Sequence, residues 1–183
     1  MASGITIEPY NPEWPETFRH LAYVIHNELG ELAIAIEHVG STSVQGLSAK
    51  PIIDLDIIIE GEEQLAQVIK GLGRLGYFHQ GDLGIQDRHA FGRINQFVPT
   101  DGNNMIWMEH HLYVCTKDSK ELHRHLAFRN YLRKNQEAAA EYEKLKKELA
   151  KTAADRETYT EEKSGFINGI LMKVGAADFS NNF

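Results

Sequence analysis

The chain has a single cysteine, Cys115, among its 183 residues. A lone thiol has no partner within the chain, so an internal disulfide framework is excluded, and its apolar surroundings make Cys115 a core residue rather than a reactive one. Long hydrophobic runs are lacking too. No apolar stretch approaches membrane-spanning length, and the N-terminus lacks the basic-then-apolar pattern of a secretory signal. The expectation is a cytoplasmic protein with no membrane partner. Basic residues are the minority charge, 19 Lys and Arg against 26 Asp and Glu, for a formal net charge of −7. That balance disfavours a long nucleic acid partner, while leaving room for a local basic patch. No Cys/His set has zinc spacing, and the adjacent His110 and His111 would point to opposite faces of a strand. Walker-type lysine and Gly-x-Ser-x-Gly patterns are absent.

What is present centres on residues 38 to 59. Ala33 to Val39 is an apolar run that reads as a strand, and the small-residue turn Gly40-Ser41-Thr42-Ser43 follows it. A short helix is expected around Val44 to Ser48. Pro51 then opens a second run, Ile52 to Ile59, β-branched almost throughout and read as a buried strand. Asp54 and Asp56 lie inside it. Alternate strand residues share a face, so the two carboxylates project side by side. Two like charges in an apolar strand are costly unless a cation neutralises them, and Mg²⁺, which takes one or two protein carboxylates and completes its shell with water and phosphates, is the expected divalent metal. Backbone N–H groups of a glycine turn form a nest for anionic oxygens, to which serine hydroxyls add donors. A phosphate-holding turn before a metal-holding Asp-x-Asp strand suits a nucleoside triphosphate. Lys50 and His38 flank the two segments, Lys50 as a candidate phosphate contact and His38 as a stabiliser of the turn.

The rest of the chain supplies a frame. Asn11-Pro12 is expected to start a helix ended by Gly30, and residues 61 to about 76 form another. Tyr77 to His79, Ala90 to Val98 and Met105 to Cys115 read as strands, with Asp101-Gly102 the strongest hairpin signal. Beyond Thr116 the pattern is helical. Asp118 or Ser119 caps a helix to about Lys134, with Glu121 placed to complete a capping box from Asp118, and two more run from about Gln136 to Lys151 and Tyr159 to Val174. The organisation is a core over 1–116, a helical segment over 117–175 packed on it, and a tail over 176–183. On the first of these helices Leu122, His125, Leu126, Arg129, Leu132 and Arg133 follow the spacing of an inward stripe. Arginines on a core-facing stripe need partners, and Arg129 and Arg133 are candidates to grip phosphates with their planar forks. Structural ion pairing is the alternative. Tyr142, Lys146, Tyr159 and Lys163 rank lower as cleft residues, because Tyr and Lys at such spacings usually serve packing and solubility.

The stretch Glu37-His38-Val39-Gly40-Ser41-Thr42-Ser43-Val44-Gln45-Gly46-Leu47-Ser48-Ala49-Lys50-Pro51-Ile52-Ile53-Asp54-Leu55-Asp56 resembles the signature of the GrpB family (UPF0157 type). His123 to Arg133 resembles that family's basic helix, and the likeness runs from about residue 5 to 173. The resemblance implies an α/β (α+β) fold of the polymerase-β-like nucleotidyltransferase kind, with a small mixed sheet and a helical C-terminal segment closing a cleft. It implies Asp54 and Asp56 as catalytic metal ligands and transfer of a nucleotidyl group to a small-molecule or protein acceptor. Many active members of that superfamily place a third carboxylate on a neighbouring strand, enabling two-metal chemistry. The corresponding residues are Glu109-His110-His111. Either Glu109 and His111 share the aspartates' face, which would make Glu109 the third metal ligand, or His110 does. A histidine there favours a non-catalytic nucleotide-binding or regulatory module, in keeping with the likeness of GrpB-type domains to the region appended to some dephospho-CoA kinases. Hydrolysis, with water as acceptor, is a third reading.

Overall fold

The architecture follows from the alternation in one strand. The computed structural model describes residues 5–175, and the expected tail at 176–183 lies outside them. Strands β1 (Ala35–Val39), β2 (Ile53–Ile59), β3 (Tyr77–His79), β4 (His89–Arg93) and β5 (His110–Thr116) form a five-stranded sheet in the order β1-β2-β5-β4-β3. The central β2–β5 pair is parallel and the other pairs are antiparallel, so the sheet is mixed. Ile53, Leu55, Ile57 and Ile59 of β2 join Leu112 and Val114 of β5 and Phe91 of β4 in one core cluster. Helices α1 (Trp14–Leu29) and α2 (Leu65–Arg74) cover it with Leu21, Ile25, Leu29, Val68 and Leu72. The alternate residues, Asp54, Asp56 and Ile58, therefore face the other side. There Ile58 and Cys115 pack on Leu122 of α3 (Lys120–Lys134). The fold is mixed α and β, with Asp54 and Asp56 on the face away from α1 and α2.

Helices α3, α4 (Gln136–Thr152) and α5 (Arg156–Lys173) enclose a second apolar cluster containing Leu132, Tyr142 and Ile170. Val44 and Leu47, just after the Gly-Ser turn, belong to that cluster and anchor the turn to the helices.

Several local expectations need correction. The helix expected from Asn11-Pro12 begins at Trp14, because the Asn11 side chain accepts from Glu13 N and Pro15 fills the first turn. No helix forms at 44–48; the tight segment is a 3-10 turn at Ser41–Ser43. Ser119, not Asp118, caps α3 by accepting from Leu122 N at 3.2 Å. The tight hairpin at Asp101-Gly102 does not form. β4 ends at Arg93 and β5 begins only at His110, since Val98 and Trp107 of the connection turn into the core and Trp107 Nε1 donates to Pro99 O at 2.8 Å.

Candidate functional site

Register sets the geometry. Asp54 lies beside Val39 of β1 and His111 of β5, and Asp56 lies beside Glu37 and Tyr113, all on one face. Immediately after β1, Gly40 adopts φ 69, a left-handed conformation that favours glycine. Its missing side chain matters for space as well. A Cβ there would stand 2.9 Å from Asp54 Cγ and overlap the carboxylate, so the turn backbone abuts Asp54 directly. Two hydroxyls of the turn hold the chain: Thr42 Oγ1 donates to Ile52 O at 3.2 Å and Ser43 Oγ to Gly40 O at 2.6 Å. His38 Nε2 lies 3.0 Å from Thr42 Oγ1. Burial, the adjacent Arg133 and Arg129 outweigh the opposing pull of Asp54 and lower the His38 pKa to about 4, so it is a neutral donor that stabilises the turn. Ser41 alone of the three hydroxyl residues turns to the helical side.

Each aspartate is held by an imidazole. His111 Nδ1 is 2.8 Å from Asp54 Oδ1, a hydrogen bond that raises the histidine's pKa against the effect of burial. Asp56 has no exposed surface; its Oδ2 is 2.7 Å from His125 Nδ1, and His125 Nε2 is 3.2 Å from Glu121 Oε1. With a carboxylate at each ring nitrogen, His125 is an imidazolium. Burial opposes the charge, but Asp56 and Glu121 overcome it and lift the pKa to about 10. The second oxygen, Asp56 Oδ1, is buried with no hydrogen-bond partner among the described residues. Nearby, Arg88 lies with its guanidinium 4.2 Å from the centre of the Tyr113 ring.

Glu109 is not brought to the aspartates. It precedes β5 and pairs with Arg93 Nη2 at 2.5 Å, so the residue beside Asp54 is His111. No group of three or more His, Cys, Asp or Glu converges as a metal cage among the described residues. A partial shell is what the residues fit: an Asp56 oxygen with no hydrogen-bond partner among the described residues, and Asp54 on the same face against the Gly40 turn. Mg²⁺ commonly binds through one or two carboxylates with substrate phosphates completing its shell.

The arginines on the α3 stripe serve the turn. Arg129 Nη1 donates to Glu37 Oε2 at 2.5 Å and His38 O at 2.9 Å, while Nε and Nη2 of Arg133 donate to Ser43 O at 3.0 and 2.9 Å. Glu37, one strand over from Asp56, is the partner that the helical spacing alone did not reveal. The cations on the α4 and α5 side of the turn are lysines instead. Lys146, only 2% exposed, reaches Ser41 Oγ at 3.0 Å and Ser48 O at 2.5 Å. Lys163 and Lys50 stand 4.4 and 4.3 Å from the Tyr159 ring centre. Burial, then the charge of Lys163, lowers the Lys146 pKa to about 7; burial, then Lys50, lowers that of Lys163 to about 8, with Asp54 opposing. One signal for Lys146 existed in the sequence: it interrupts the stripe of Tyr142, Leu145 and Leu149 on the buried side of α4.

Comparisons with known proteins identify the family and the fold. The family described as GrpB protein matches residues 4–173. The glutamate-rich protein GrpB of Alkalihalophilus pseudofirmus is 33% identical over 175 residues, covering 93% of this chain and 95% of its own. The crystal structure of GrpB from Enterococcus faecalis superposes with a TM-score of 0.77 at 34% identity, over 94% of this chain and 98% of that one. The Cid1 poly(U) polymerase, solved with MgGTP bound, aligns with a TM-score of 0.52 at 14% identity, over 79% of this chain and 44% of its own, a likeness of fold. The protein is a member of the GrpB family, built on a nucleotidyltransferase-like fold.

Proposed function

We propose that this protein binds a nucleoside triphosphate together with Mg²⁺. The observation that carries the reading is the convergence, at one end of β2, of Asp54 and Asp56 with the Gly40–Ser41 turn and the buried Lys146. Carboxylates alone would suit many cations, and lysines alone many anions. The two charges placed around a glycine turn suit a polyphosphate with its metal. Asp54 and Asp56 hold the ion, which neutralises charge on the phosphate oxygens. Gly40 lets the backbone approach, and Lys163 takes the negative charge remote from the metal, with Lys50 alongside and Lys146 at the Ser41 hydroxyl. Arg129 and Arg133 position the turn. The Cid1 fold carries the same class of ligand, MgGTP, which supports the choice.

His111 bears on the step after binding. It stands where a third carboxylate would support two-metal nucleotidyl transfer, and this favours nucleotide binding over transfer to an external acceptor. Transfer to a small-molecule or protein hydroxyl is the second reading, supported by the paired aspartates. A thermal-unfolding screen with each of four nucleoside triphosphates, with and without Mg²⁺, tests the binding claim. A ligand at a hundred times its Kd stabilises the folded chain by about 2.7 kcal/mol. At least one triphosphate raises Tm only when Mg²⁺ is present. No shift with any of them, or an equal shift without metal, removes the reading.

A further inference from the structure

Ser41 stands apart from the rest of its turn. Its hydroxyl meets the Lys146 amine at 3.0 Å and is hydrogen-bonded by the Tyr142 side chain, whereas those of Thr42 and Ser43 are tied to backbone carbonyls. Among the described residues no carboxylate pairs with the Lys146 amine, which contacts Ser41 Oγ and Ser48 O, both neutral. A lysine enclosed in this way is the usual means of presenting a free amine to a serine, and a serine with a base in contact and a third group beside it has the layout of an activated nucleophile.

We propose that Ser41 is a nucleophile with Lys146 as its general base, and that it accepts the terminal phosphoryl group of the bound nucleoside triphosphate. This rests on the binding reading above. In the step, the Ser41 hydroxyl proton passes to the neutral Lys146 amine and an Oγ–P bond forms. The bond between the terminal phosphorus and the bridging oxygen breaks, and the nucleoside diphosphate leaves with that electron pair. The products are phosphoserine at 41, a protonated Lys146 and the diphosphate. Lys163, whose charge acts on Lys146, favours a phosphoryl over an uncharged acyl electrophile. The new phosphoserine would sit beside the ammonium formed in the same step.

The groups that set the protonation of Lys146 come from two elements. Lys163 of α5 and Lys147 of α4 disfavour its charge, and Glu143 of α4 favours it; burial is the largest influence and leaves the pKa at about 7. The rate of modification therefore rises with pH through about 7 and levels off above it.

The test incubates the full chain with Mg²⁺ and nucleoside triphosphates labelled at the α- or the γ-phosphate, followed by intact mass and peptide mapping. The expected result is one phosphoryl group per chain, on Ser41, carrying the γ label only and absent from Ser41→Ala. Lys146→Arg keeps the charge but cannot become neutral at working pH, so its single-turnover rate at saturating nucleotide falls about a hundredfold. Should that variant not fold, the pH–rate profile of the wild type decides. The proposal is overturned by a nucleotidyl adduct, by label on another residue, by a Lys146→Arg rate equal to wild type, or by a rate flat across pH 6 to 8. Bound Mg-nucleotide with no adduct removes this inference alone, and failure of any triphosphate to bind removes it together with the binding reading.

Discussion

Asp56 Oδ2 and His125 Nδ1 lie 2.7 Å apart, joining β2 to a helical residue 69 positions further along the chain. The contact explains how a fully buried carboxylate persists in an apolar strand. Its countercharge is carried by the protein, in an imidazolium that Glu121 braces from the far side. One oxygen of Asp56 is thereby fixed, while the other has no hydrogen-bond partner among the described residues.

Removing the imidazolium leaves the Asp56 charge buried and unpaired. His125→Leu costs about 3 kcal/mol in urea unfolding at pH 7. The wild type shows the same linkage through pH. Because the folded pKa of His125 is raised to about 10, the pair's stabilisation is complete below the unfolded value of 6.5 and is lost as pH rises through 10. His125→Leu flattens that alkaline decline; an unchanged decline would show that another group is responsible.

Two other histidines act at acid pH. His38 and His110 are neutral in the fold, both held near pKa 4, first of all by burial. His110 Nδ1 donates to Met108 O at 2.9 Å, so its Nε2 accepts from the Tyr77 hydroxyl at 2.7 Å, an arrangement that needs the uncharged ring. Unfolding releases them to take up protons below 6.5, so stability falls between pH 6.5 and 4. Each contributes a slope of about 1.4 kcal/mol per pH unit at most. His110→Gln reduces the proton uptake on unfolding, measured from that slope, by one.

Gly40→Ala combines a left-handed backbone with a methyl group driven into the Asp54 carboxylate. A loss of about 2 kcal/mol is expected on unfolding. Mg-dependent stabilisation by triphosphate disappears as well, because Asp54 is displaced. Full retention of ligand response in this variant would place the phosphates elsewhere.

Lys163 is partly buried beside two other lysines, a placement with little structural merit. Lys163→Met leaves stability within about 1 kcal/mol of wild type, or raises it, while weakening Mg-triphosphate binding about tenfold. A drop in stability with unaltered affinity would make the lysine structural.

The sequence made some of this plain and hid the rest for identifiable reasons. Alternation in 52–59 placed both aspartates on one face, and the glycine turn preceded them in the order that the fold uses. Whether Glu109 or a histidine joined them depended on register, which a strand pattern leaves open until neighbouring strands are paired. The Asp56–His125–Glu121 chain needed the docking of α3 on the sheet. Arg129 and Arg133 were visible as inward cations, but their partners, Glu37 and Ser43 O, come from segments about 90 residues earlier. Lysines on helices are usually solvated, which hides Lys146, although its place within a buried stripe marks it. The Asp101-Gly102 turn signal was overridden by Val98 and Trp107, whose burial in the core keeps β4 and β5 from extending towards it.

The most direct measurement is calorimetric titration of the wild type and Asp54→Asn with each nucleoside triphosphate, in Mg²⁺ and in chelator. Asp54→Asn keeps the shape of the side chain and leaves the buried Asp56–His125 pair intact. The account predicts that one or more triphosphates bind the wild type in Mg²⁺ alone, with affinity falling at least tenfold, about 1.4 kcal/mol, in Asp54→Asn. Binding that is indifferent to Mg²⁺ and to Asp54→Asn, or no binding by folded wild type, would contradict it.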